Sequence, residues 1–411
     1  MNNSVIWGEM LTNGGSIMRR KEKVKARQRS GVILILLLIM LVAVLLLVGC
    51  NRGNTKAAGG GAYKKYVASL GPDESPVPSD CFEQAIKEGE LITYNWADWW
   101  PESLFTAFTT EFGIKVTHSY FADMNEMVTK LKLYPKAEYD WAHPDLRGFL
   151  QLKEMKGLQK LNHKWLPNVE KYLPTATKNA SYDPGWQYGV PSDRDITTYI
   201  YNKDHVDDPR MPSWAVLFEP DAKYKGRVTL NNDMFECIGG ALKYLGYSWN
   251  STKESELAQA KMLIQKAKPN IMGFESNPMK PLYEDEVWIA QNWFGSGCRR
   301  HAYKESLWPV LPKEGTQIMC DLMTIPIGAA HPAVAHLFIN YIFRPKKMVE
   351  LLNETRFLPN HTVAATMLPK ELLDIYPPQE YLDKNTEYIT SDAYTGKGLQ
   401  LRSAIWEELK R

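Results

Sequence analysis

Residues Glu90–Phe121 read ELITYNWADWWPESLFTAFTTEFGIKVTHSYF, and their order of patterns decides the fold class. Leu91–Asn95 is a short apolar run with the β-rich composition of a buried strand. Pro101 opens a helical period that runs to Phe112, where Gly113 supplies a stop. Lys115–Tyr120 then alternates as a strand. Outward from there the theme continues. Asn125–Leu133 has helical period, Tyr139–His143 is another strand, and Arg227–Leu230, Met234–Leu245, Glu254–Ala267, Ile271–Phe274 and Val287–Asn292 alternate in the same way. Pro332–Phe343, Lys346–Asn353 and Leu399–Lys410 read as helices. Strands alternating with helices argue α/β layers built on largely parallel sheets. A chain of 411 residues is too long for one core and divides into more than one such unit.

Composition narrows the function. With 44% hydrophobic and 23% charged residues, the chain is neither disordered nor a polytopic membrane protein. The formal charge of +2 hides an imbalance, because residues 1–49 carry seven Lys+Arg against two acids, leaving 42 basic and 45 acidic residues in the remainder. A faintly acidic body is a poor partner for nucleic acid, whose phosphates need clustered Lys/Arg. Residues 19–29 hold the seven basic residues, and Val32–Val48 is free of charge. That is the layout of an export signal. Its end, Leu47-Val48-Gly49-Cys50, resembles the lipobox of bacterial lipoproteins. The resemblance implies a signal over 1–49, cleavage before Cys50, a diacylated Cys50, and a water-soluble body lipid-anchored to the cell membrane and facing the periplasm or extracellular side. Met18 is an alternative start. Residues 50–80, with Gly59-Gly60-Gly61 and Pro72, Pro76 and Pro78, read as the lipidated cysteine and a flexible tether. Cys81, Cys237, Cys298 and Cys320 allow three full disulfide pairings in an exported chain. No Cys or His spacing points to a metal or a cofactor.

An enzyme lacks its tools here. Gly295-Ser296-Gly297 does not have nucleophile-elbow spacing, and no His-Glu-x-x-His occurs. Asp233 and Glu236 could serve as paired carboxylates of a glycosidase, but three apart at a helix start they more naturally share one ligand or cap one turn.

Several strings are more particular. Thr93-Tyr94-Asn95-Trp96-Ala97-Asp98-Trp99-Trp100, Leu230-Asn231-Asn232-Asp233-Met234-Phe235-Glu236, Gly240-Ala241-Leu242-Lys243-Tyr244-Leu245-Gly246-Tyr247-Ser248, Asn292-Trp293-Phe294-Gly295-Ser296-Gly297, and Pro312-Lys313-Glu314-Gly315 followed by Asp321 occur in order. Together, over residues 90–411, they resemble the spermidine/putrescine-binding proteins of ABC importers. The resemblance implies a type II periplasmic-binding-protein-like α/β fold with two lobes joined by hinge crossings. Lobe 1 is then 90–195 plus 317–364, and lobe 2 is 196–316 plus 365–411. It implies a monomer that hands its solute to a permease and its ATPase. It also implies ligand-binding roles for Trp96, Asp98, Trp99, Asp233, Glu236, Trp293 and Asp321. Aromatic faces and carboxylates suit this use, because a buried ammonium group needs both.

The pattern breaks at four aromatic slots, and three of them hold Arg. Pro144-Asp145-Leu146-Arg147 stands where the family shows Pro-Ser-x-Tyr. Ser192-Asp193-Arg194-Asp195 replaces an aromatic segment, Met319 replaces a Trp, and Arg356 replaces a Tyr. Two ligand chemistries therefore stand open. In one, the solute is a di- or polyamine and the arginines pair with Asp145, Asp193 and Asp195. In the other, a zwitterionic amino-carboxylate is bound, with Arg147 or Arg356 holding its acid. A sugar is a third expectation, since Trp-rich walls also suit pyranose faces.

Overall fold

The computed structural model describes residues 55–97, 99–133 and 138–411. The chain divides into two units, Met1–Lys65 and Tyr66–Arg411. The expected signal, Cys50 and Asp98 lie outside the described residues. Among the described residues no helix is long and apolar enough to cross a membrane.

The strands of the second unit, in chain order, are β1 Glu90–Trp96, β2 Lys115–Phe121, β3 Trp141–Ala142, β4 Gly189–Pro191, β5 Asp193–Asn202, β6 Val228–Leu230, β7 Gly273–Phe274, β8 Ile289–Trp293, β9 Leu307–Pro309, β10 Thr316–Met319, β11 Leu322–Thr324, β12 Leu358–Pro359 and β13 Thr386–Tyr388. They form two mixed sheets. The first has the order β2-β1-β3-β11-β4, and the second β13-β10-β5-β8-β6-β7, with β9 and β12 also pairing β5. Pairs β1–β2, β1–β3, β6–β7 and β6–β8 are parallel, whereas β11 and β5 run antiparallel to their neighbours. The expected alternation is thus present, and the antiparallel members are the strands next to the crossings.

The opening stretch forms as its residues dictate. Pro101 precedes the helix Glu102–Phe112, where its missing N–H costs nothing, and Gly113 ends it in the left-handed conformation at φ 68°. Leu104, Phe105, Phe108 and Phe112 are the buried face of that helix. Phe105 and Phe108 meet Phe338 of the helix Pro332–Ile342 at ring-centroid distances of 5.4 and 5.1 Å. This aromatic layer backs the first sheet and fixes the direction in which β1 ends.

The chain changes sheets at Ser192, between β4 and β5, and returns at Cys320-Asp321, between β10 and β11. The expectation of a flexible tether through residue 80 does not hold. Thr55–Ser69 is helical, because alanines and lysines around the glycine triplet favour helix. From Tyr66 onward the chain is packed. Tyr66 stacks on Phe82 at 4.9 Å, Val77 is fully buried, and the Ser75 N–H donates to Asn168 Oδ1 at 2.7 Å. The four cysteines are free, buried thiols on separate elements, so none of the three disulfide pairings forms.

Candidate functional site

The site is built where strands of both sheets end. After β3, Asp145 N-caps the helix Leu146–Glu154, its Oδ1 accepting from the Gly148 N–H at 2.8 Å. Its other oxygen accepts from Arg147 Nε and Nη2 at 2.8 and 2.6 Å. Arg147 Nη1 then crosses to the second sheet's half. It donates to Asp233 Oδ2 at 2.7 Å and lies 3.6 Å from Glu236 Oε1. Asp233 follows β6 and caps the helix Met234–Tyr244, accepting from the N–H groups of Phe235 and Glu236 at 2.8 and 3.3 Å. Glu236 does not complete a capping box; it is fully buried and accepts from Thr197 Oγ1 and, at 2.8 and 2.9 Å, from Gln317 Nε2. Gly239, one turn on, lets that helix lie against Trp249, whose ring would be 2.0 Å from an added Cβ.

The crossing strands supply further acids. Side chains alternate along a strand, so Asp193, Asp195 and Thr197 of β5 share a face, and Thr197 turns that face toward Glu236. Ile318 pairs with Ile196 and Met319 with Asp195, and just beyond them the Ser192 N–H donates to the Asp321 carbonyl at 3.0 Å, which brings Asp321 next to Asp193. Asp321 also bridges Asp145 through the backbone. Asp195 Oδ1 accepts from the N–H groups of Ile196 and Gly295 at 2.8 and 3.1 Å, while its Oδ2 is buried without a partner. The Asp321 carboxylate has no hydrogen-bond donor among the described residues.

Aromatic rings close one side. Trp96, at the end of β1, stacks with Trp99 at 5.7 Å, and Trp99 meets Phe357 at 5.1 Å. Phe357 lies against Gly295, where a Cβ would come within 2.1 Å of the ring. Trp293 ends β8 opposite Thr197 and caps the helix Phe294–Tyr303. The indole nitrogens of Trp96 and Trp293 are both buried without partners.

Burial governs the electrostatics. It raises the carboxyls of Asp193 and Glu236 to about 7, against the pull of Ser192 on the first and of Arg147 on the second. Asp195 and Asp321 are raised as well, first by burial and then by neighbouring carboxylates, including Asp193 in each case. For Arg147 burial opposes the charge, but Asp145, Asp233 and Glu236 more than offset it and raise its pKa. His143 is fully buried, its pKa depressed to about 3, and so neutral. Asn95 Oδ1 accepts from the Trp96 N–H at 2.8 Å, which makes His143 Nδ1, 3.2 Å away, a donor. Nε2 lies 3.0 Å from Ser192 Oγ. The Ser192 hydroxyl donates to Asp193 Oδ2 at 2.8 Å. Asn95, His143 and Ser192 have the order of a nucleophile triad, yet each is at most 2% exposed, out of reach of any substrate.

The residues named from the sequence fare unequally. Arg147, Asp233 and Glu236 form one ion cluster, with Asp321 beside it through Asp145. Trp96, Trp99 and Trp293 reach it through Phe357, Gly295 and Thr197. Both ends of the Arg147 guanidinium are held by carboxylates of this chain, Asp145 on one side and Asp233 on the other. Arg356 is the left-handed C-cap of the helix Pro345–Thr355, at φ 60°, half-buried and with no side-chain bond among the described residues. Among the described residues Arg194 pairs with no acid; its Nη2 donates to the Pro359 carbonyl at 3.1 Å, because alternation along β5 points it away from Asp193 and Asp195. Those two acids were legible as a period-two row, but only as partners for arginine.

This arrangement meets a family model for bacterial extracellular solute-binding proteins, which matches residues 103–373. The chain belongs to that family. Among its relatives, the spermidine/putrescine-binding periplasmic protein of Escherichia coli is 33% identical over 303 residues, covering 72% of this chain and 86% of the relative. The protein of the same name from Salmonella typhimurium is 31% identical over 298 residues, covering 72% and 85%. Among solved structures, the spermidine/putrescine ABC transporter substrate-binding protein of Streptococcus pneumoniae has a TM-score of 0.69 at 26% identity, over 78% of this chain and 98% of that one. A lipoprotein of Treponema pallidum has a TM-score of 0.70 at 25% identity, over 78% and 99%. The fold is that of a type II periplasmic binding protein, and family members are exported solute receptors.

Proposed function

We propose that this chain captures a small amine-bearing solute between its two lobes and delivers it to the permease and ATPase of an ABC importer. The carrying observation is that carboxylates from both sheets converge on a cation, here the Arg147 guanidinium, beside a half-buried wall of tryptophans. A pocket that holds a buried positive group this way has the chemistry an ammonium needs. The names of the relatives support an amine of the putrescine or spermidine class. A zwitterion is disfavoured, because Arg147 has no free edge for a carboxylate. Capture without chemistry follows from the family and from the sealed position of Ser192. Cys50 anchors the body to the membrane by lipid, a reading supported by the sequence around it and by the Treponema lipoprotein. The lobes follow the sheets, with hinges at Ser192 and Cys320-Asp321, and the receptor works as a monomer.

Calorimetry with amines, amino acids and oligosaccharides tests this. An amine should bind unconsumed, and Asp321→Asn should weaken it at least tenfold. Binding of a sugar or a neutral amino acid in preference to every amine would overturn the reading.

A further inference from the structure

In an amine receptor the carboxylates at a cleft are seats, and the ones left free set how many cationic nitrogens the solute can bring. One seat in this chain is filled from within. Asp145, 1% exposed, gives one oxygen to Arg147 twice over and the other to a backbone N–H, so its charge is already paired. Asp233, its side chain 31% exposed, gives one oxygen to its helix cap and pairs the other with Arg147. Glu236 is closed off by Thr197 and Gln317. The unspent acceptors lie elsewhere, on the crossing strands. Asp195 is 5% exposed and its Oδ2 has no partner, and Asp321 has no donor among the described residues. Gly295, which binds the other oxygen of Asp195, carries Phe357 and through it Trp99 to the same place.

We propose that Arg147 is a specificity-determining residue: its guanidinium permanently fills the Asp145–Asp233–Glu236 end, leaving a single cation seat at Asp195 and Asp321, so the solute carries one cationic nitrogen. This rests on the amine reading above and narrows it. A second ammonium on a short chain would have to lie beside the guanidinium, where the described carboxylates already hold a cation. The rest of the solute is neutral and meets rings and the free indole N–H groups of Trp96 and Trp293. The same Arg147 ties the two halves, so a cation that holds them together is already present.

The test compares 4-amino-1-butanol with putrescine, which differ only in the second nitrogen, and adds spermidine, by calorimetry on the wild type, Arg147→Gln and Arg147→Lys. In the wild type the aminoalcohol should bind at least as tightly as putrescine, and spermidine more weakly. Arg147→Gln frees the second seat and should shift the ratio toward putrescine by about tenfold or more. Arg147→Lys keeps a cation there and should keep the wild-type order. A gain for the diamine cannot come from misfolding. A wild-type preference for putrescine or spermidine, or an unchanged ratio in Arg147→Gln, overturns the single-seat proposal and leaves the amine reading standing. If no amine binds any of the three proteins, both fall.

Discussion

Replacing Arg147 by Met isolates the electrostatic role of the residue, because Met keeps the aliphatic stem and removes the guanidinium. Asp145, 1% exposed, would then retain only the Gly148 N–H. Asp233 has a side chain 31% exposed and can be rehydrated, so its share is at most about 1 kcal/mol. Glu236 keeps Thr197 and Gln317 and loses little. Most of the cost therefore falls on Asp145, left as an uncompensated buried charge, and breaking such a pair costs about 3–5 kcal/mol. The sign of the pH dependence follows. Without Arg147 the Asp145 carboxyl is raised in the folded variant, so the variant holds a proton that the unfolded chain releases, and its stability falls as pH rises through that window. Urea denaturation of wild type and variant at pH 5 and pH 8 measures this. The deficit should be about 3–5 kcal/mol at pH 8 and smaller at pH 5, where the proton restores neutrality. A deficit under about 1 kcal/mol at both values, or one that does not change with pH, would refute the reasoning.

The wild type has its own pH signature. Glu236 and Asp193 are raised to about 7 when folded, so their contribution makes the protein less stable as pH climbs from about 4 toward 7. Amine binding beside Asp193 favours its ionised form, so affinity should rise from pH 5 to 8 with proton release, seen as a binding heat that depends on the buffer's ionisation enthalpy; buffer-independent heats would count against it. Gly239→Ala pushes a methyl into Trp249 and displaces the helix that carries Asp233 and Glu236, with an expected loss of about 1–3 kcal/mol by chemical denaturation; a silent substitution would show that the contact yields. Cys81, Cys237, Cys298 and Cys320 should resist a thiol reagent in the native protein and all react in urea, and a reductant should leave Tm unchanged; a marked fall in Tm would reveal a disulfide.

Much of the fold was legible because its signals are local. Pro101 and Gly113 bracket a helix through their own backbone preferences, and the 254–267 period emerges as the helix Glu254–Ala267. The helix Leu146–Glu154 and the strand β5 were not read, since Asp145-Leu146-Arg147 and Asp193-Arg194-Asp195 look like polar loops. Both are buried, and a polar segment tolerates burial only when its charges find partners far along the chain. Arg147 finds Asp233, 86 residues away, and Glu236 finds Gln317, 81 away.

The same division separates family from ligand chemistry. Ordered strings such as Ala241-Leu242-Lys243-Tyr244-Leu245-Gly246 carry the family by themselves, because packing in this fold demands those residue types wherever the solute binds. Whether an arginine in the cleft receives a solute or replaces part of one depends on which carboxylates surround it. Spacing along the chain does not encode that. It was decided when two sheets brought Asp145 and Asp233 to opposite ends of one guanidinium, because charge pairing depends on separation in space and on the water excluded from between the partners.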